Sequence, residues 1–136
     1  MQSILIEGIL MKKVILALVA TASLSMANDT TIDATMSLMK QGMNKINTGF
    51  MYNSKEDVKA GLSIVESANS IFKTVDVKAF TKSDKIQVAR NINKNMAKHI
   101  KELRKAVDAG KSSEATTKYA KVMSDCISCH TSIRGW

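Results

Sequence analysis

The sequence predicts an all-α protein, an antiparallel four-helix bundle. Three observations carry that reading. The 136 residues include no proline, so nothing interrupts long helices by removing a backbone donor. Four stretches place apolar residues at alternating steps of three and four, the stripe of an amphipathic helix in a bundle. Two of the connections, at Asn53-Ser54 and around Gly110, are short, and short connections make sequential helices antiparallel neighbours.

The N-terminus is expected to lie outside the bundle. Lys12-Lys13 form a charged region, Val14 to Leu24 an apolar one, and Ser25-Met26-Ala27 a small-x-small cleavage site. Together these read as a secretory signal peptide over residues 1–27. The apolar run is too short for a stable membrane span. Met11 stands where such a peptide would start, so residues 1–10 are expected to be an upstream extension. The mature domain is expected over residues 28–136, a length that suits one domain.

The first helix is expected from about Thr31 to Tyr52. Ile32, Met36, Met39, Met43, Ile46 and Phe50 form its stripe. Thr30 with Asp33 resembles a capping box. Gly42 lies inside this helix, where it allows close approach of something flat or is tolerated at the surface. Asn53-Ser54 then turn the chain. Ser54 is a good N-cap, with Glu56 and Asp57 in the first turn of a second helix, about Lys55 to Lys73. Val58, Leu62, Val65 and Phe72 make one stripe, and Ile64, Ala68 and Ile71 widen it to two buried sides.

Thr74 to Lys82 breaks the helical pattern and reads as a loop with buried anchors at Val75, Val77 and Phe80. Ser83 is expected to cap a third helix, about Asp84 to Ala109, carried by Ile86, Ala89, Asn93, Met96, Ile100, Leu103 and Val107. Gly110 ends it as a C′ glycine. His99 lies beside the stripe and reads as a surface or boundary residue. Ser112 or Ser113 caps the fourth helix, whose stripe runs through Ala115, Tyr119, Val122, Cys126, Cys129 and Ile133.

The chemistry lies in Cys126-Ile127-Ser128-Cys129-His130. C-x-x-C-H is the attachment sequence of c-type haem. Positions i, i+3 and i+4 share one helix face, so both thiols and the imidazole can address one object. Two thioether bonds would hold one covalent haem c, and His130 would supply the proximal nitrogen to iron. The motif uses both cysteines of the chain and one of its two histidines. It lies in register with the core stripe, so the cofactor is expected inside the bundle. Two other readings compete with haem. A zinc site needs a fourth ligand, for which only His99 or a carboxylate is at hand. A thiol redox pair is expected near a βαβ pattern, and no such pattern is visible. Export to the periplasm fits haem attachment, which takes place outside the cytoplasm, and accounts for two cysteines in a secreted chain.

A bundle whose last helix ends in this motif resembles the cytochrome c-prime family, the class II c-type cytochromes. Arg134 follows His130 by four residues, as in the family's C-x-x-C-H-x-x-x-R ending. Asp108-Ala109-Gly110 resembles the turn between its third and fourth helices. Tyr119 stands where the family often has a pocket aromatic, and Met39-Lys40 resembles the Met-Lys of its low-spin branch. The resemblance covers the mature chain and is specific from Ala106 to Arg134. It implies Met39 as distal iron ligand, with Arg134 and Tyr119 in the haem pocket. Met36 and Met43 share the stripe of Met39 and would cover the ring on either side. Thr35 departs from the family, which often has an arginine there. The propionate partner would then be a lysine of the first helix or of the 74–82 loop.

The function expected is electron transfer, with gas binding as the alternative. With a methionine as sixth ligand the protein is a periplasmic electron carrier. With an open distal site it binds small gases such as nitric oxide and carbon monoxide. No acid–base pair or nucleophile constellation appears, so no enzyme is expected. The net charge of +8 would steer the protein toward acidic docking surfaces on redox partners, or it reflects solvated helix faces, since the lysines are spread along all four helices. Nucleic-acid binding is not expected of an exported chain without a basic cluster. The family resemblance further implies a homodimer through the first two helices.

Overall fold

The computed structural model describes residues 29–135. The expected signal peptide and its cleavage site lie outside them. Four α-helices make up the bundle: α1 over residues 29–51, α2 over Lys55–Phe72, α3 over Ile86–Asp108 and α4 over Ser112–Cys129. No described helix is long and apolar enough to cross a membrane.

The two short turns at one end of the bundle close in the same way. After α1, Ser54 N–H donates to the Gly49 carbonyl and Asn53 N–H to that of Phe50. After α3, Lys111 N–H donates to Ala106 and Gly110 N–H to Val107. Both are Schellman closures, which need a left-handed residue just past the helix. Gly110 supplies it at φ 69° and Asn53 at φ 55°. Asparagine tolerates this region better than other side chains do. Ser54 then caps α2, its hydroxyl accepting from Asp57 N–H at 3.2 Å. Such a cap contributes about 1 kcal/mol.

The other expected caps move by a few residues. Thr30 already lies within α1. Ser83 opens a short 3₁₀ turn, Ser83–Lys85, and Lys85 occupies the N-cap of α3 without a side-chain cap bond. Ser112 is the first residue of α4, with Lys111 at the cap. The 74–82 segment is a connection with a 3₁₀ turn, Val77–Ala79, capped by Asp76. Its Phe80 ring stacks tilted on Phe72, centroids 5.1 Å apart.

The stripes converge on one core. Ile46, Leu62, Val65, Leu103 and Val122 are wholly buried, with Met39, Met43, Met96 and Ile100 around them. The second buried side expected for α2 is only partial: Ala68 is buried, Ile64 half-buried and Ile71 exposed. Polar ties join the helices at the rim of this core. Lys45 meets Asp57 at 2.7 Å between α1 and α2. Arg104 of α3 grips both carboxylate oxygens of Glu66 on α2, at 3.0 and 2.7 Å. Lys118 of α4 reaches Glu102 of α3 at 2.8 Å.

Candidate haem-binding site

The last turn of α4 carries both cysteines, and the helix then widens into a π turn, His130–Arg134. The Gly135 N–H closes that turn onto the His130 carbonyl at 3.0 Å. Helical structure therefore persists to Arg134, as the motif requires. Cys126, Cys129 and His130 all line one cavity of about 610 Å³. Met123 flanks them one turn earlier.

Across that cavity stands α1. Met36, Met39 and Met43 line it together with Ser37, Lys40 and Asn44. The step of three to four residues between the methionines puts them on one face. Met39 and Met43 are buried and Met36 half-buried. Phe72 from the end of α2 and Met96 from α3 complete the lining. Sequence reading did not assign these two, nor Met123, to the pocket. Phe72 and Met96 lie on their helix stripes and were legible only as core, while Met123 lies off the stripe.

Both cysteines are free thiols. Burial pushes the Cys126 thiol up to about 11, with Asp125 and Cys129 beside it adding to the shift. Burial raises Cys129 as well, against the opposing charge of Arg134. The two sulfurs are thus protonated at neutral pH and held in apolar surroundings.

Two of the residues expected at the haem, Tyr119 and Arg134, do not line this cavity. Tyr119 is not among the cavity's lining. Its ring packs edge-on to Phe50 at 5.6 Å, and its hydroxyl donates to the Met43 carbonyl at 3.4 Å. Tyr119 therefore backs the methionine wall from behind, one turn of α4 too early to reach the cavity. Arg134 lies in a separate shallow groove with Cys126, Ile127, His130 and Gly135, on the outer side of the motif.

His99, read as a boundary residue, is half-buried and holds Asp125 on α4, Nδ1 to Oδ2 2.6 Å. It does not line the cavity. Among the described residues no cluster of three or more His, Cys, Asp or Glu side chains could hold a metal ion.

The residues fit a c-type haem on the chemistry of the donor set. Two thiols and an imidazole line the same cavity as three thioethers from another helix. The lining is mostly apolar, and the volume falls within the roughly 300–1,000 Å³ of ligand sites.

No protein-family model and no curated protein matches the sequence. Solved structures do. A cytochrome c′ from Thermochromatium tepidum superposes with a TM-score of 0.64 at 18% identity, over 80% of this chain and 95% of that one. A cytochrome c′ described by a ligand-controlled dimer dissociation gives the same 0.64, 18%, 80% and 95%. At this identity the likeness shows the fold alone, the four-helix bundle that these two proteins have.

Proposed function

We propose that this chain is a periplasmic monohaem c-type cytochrome, with haem c bound through Cys126 and Cys129 and with His130 as proximal ligand. The observation that carries the reading is the single cavity lined by both thiols, the imidazole and the α1 methionines. When bound, haem c supplies a one-electron iron couple. The chain's residues do the rest. The two cysteines fix the ring edge to α4, and His130 offers its imidazole one residue on. The apolar side chains of the lining would shield the ring from water. Lys40 supplies a cation among the lining residues, in the role of propionate partner that the first helix was expected to fill. Arg134 lies on the outer side of the same motif.

The sixth position divides the function. Three methionines on one face of α1 support Met39 as distal ligand and electron transfer as the role, with partners that dock through acidic surfaces. The structural neighbours lean the other way. Both are described as cytochromes c′, one with a dimer that responds to ligand, which supports an open distal site that binds nitric oxide or carbon monoxide. On that reading Met39 packs beside the ring, and two copies of the chain pair.

The test is the protein recovered from the periplasm. Its mass should equal the chain from Asn28 plus one haem. The oxidised spectrum should be low-spin if a methionine ligates and high-spin if the site is open. His130→Ala should abolish the native spectrum. A mature mass without haem, or with a Cys126–Cys129 disulfide, would sink the proposal.

A further inference from the structure

We infer that Lys85 is a positioning residue for His130, an inference that rests on the ligand role proposed for that histidine. The carbonyls of a helix's last turn have no partner within the helix. In the π turn His130–Arg134 one of them, that of Ser132, accepts a hydrogen bond from Lys85 Nζ at 2.5 Å. Lys85 ends the 3₁₀ turn Ser83–Lys85 and so comes from the far end of the α2–α3 connection. The hydroxyl of Thr131 bonds only locally, to the carbonyls of Ile127 and Ser128. The ammonium is therefore a tie from another part of the fold to the turn that carries His130 and Arg134.

A cation at a helix C-terminus also meets the negative end of the helix dipole. Lys85 is half-buried, so water screens it less than a free surface lysine. Its bond falls two residues past His130. It thus has two effects on the proposed ligand: it holds the backbone from which the imidazole projects, and it brings a positive charge to that end of the helix. Positive charge opposes the more positive oxidation state of a bound metal, so the lysine raises the midpoint potential.

The experiment compares full-length holoprotein carrying Lys85→Met, Lys85→Gln and Lys85→Arg with wild type. Lys85→Met should speed amide exchange at Gly135 about fivefold, the loss of one hydrogen bond. It should also move the haem-methyl NMR shifts and lower the midpoint potential, and Lys85→Arg should restore all three. Lys85→Gln keeps a donor and drops the charge, so it should lower the potential, and it replaces Lys85→Met if that variant does not fold. Wild-type haem-methyl shifts and potential in Lys85→Met, or in Lys85→Gln where that variant stands in, overturn the inference even if exchange at Gly135 quickens, because the lysine is then a structural cap alone. A wild-type chain without a pyridine haemochrome fails the proposed function instead, which keeps the two failures apart.

Discussion

Gly42 of α1 and Gly61 of α2 meet backbone to backbone. A Cβ built on Gly42 would come within 2.8 Å of the Gly61 carbonyl oxygen. One built on Gly61 would stand 2.7 Å from both the Gly42 carbonyl oxygen and the Ile46 nitrogen. The crossing fixes how α1 is rotated against the bundle. Met39 and Met43 flank Gly42 on the same helix, so the glycine contact also helps set which face of α1 looks into the cavity.

Gly42→Ala and Gly61→Ala should therefore destabilise the protein. Alanine gains about 1 kcal/mol of helix propensity over glycine. The obstructing atoms include side-chain carbons of Val65 and Ile46, but also backbone on the facing helix, which cannot swing away, and forcing a methyl into a packed contact costs about 1–3 kcal/mol. The second effect wins, and the urea midpoint should fall in both variants. Midpoints equal to or above wild type would mean that the two helices can separate without loss.

The His99–Asp125 pair joins α3 to the residue just before Cys126. Its side chains are 20% and 13% exposed, which places the pair between a surface ion pair and a buried one. Removing one partner leaves the other half-buried and unsatisfied, at about 1–3 kcal/mol. His99→Ala should lower stability by that amount, and His99→Gln, which keeps a donor, by less. Equal losses for the two variants would show that ring packing, not the hydrogen bond, holds α4 in place.

Periodicity made the helices legible because each buries one stripe. The motif made the site legible because its chemistry is local in sequence. The residues that reading missed act across sequence distance. Lys85 finds Ser132 over 47 positions, and nothing in a lysine at the start of a helix announces a carbonyl from the last one. Met123 lies off the core stripe and enters the pocket only because the cavity opens at that end of α4. Tyr119 sits on the stripe, as read, but a stripe does not say where along the bundle the cavity stops. Ser83 and Ser112 are good capping residues in the right places. Each falls just inside the turn that it was expected to precede, a shift of one or two residues of the kind that helix ends commonly show.

Met39→Ala separates the two forms of the proposed function. If Met39 ligates iron, the variant should change from a low-spin to a high-spin spectrum and bind carbon monoxide readily. Loss of a buried methionine also costs about 2–5 kcal/mol, towards the lower end here because Met39 lines an existing cavity. A variant that stays low-spin, while Met36→Ala or Met43→Ala does not, moves the ligand by one helical turn. A wild type that is already high-spin leaves gas binding as the function.

The buried thiols give the haem-free chain a pH dependence whose sign follows from the geometry. Burial raises the Cys126 thiol from an ordinary 9.0 to about 11. The unfolded chain therefore releases this proton first as pH rises. Between those two values the folded state binds more protons than the unfolded one, and stability falls with increasing pH. The contribution is fully present below 9 and gone above about 11. Cys129 shifts in the same direction, as do Tyr119, through burial, and Lys118, through its bond to Glu102, so the wild-type slope alone does not isolate Cys126. Comparison with Cys126→Ala does. The stability of the haem-free wild type should fall more steeply across this window than that of the variant, and iodoacetamide should alkylate the folded chain more slowly than the urea-unfolded chain at pH 9. Parallel stability curves, or equal alkylation rates, would show that Cys126 is open to water before haem is attached.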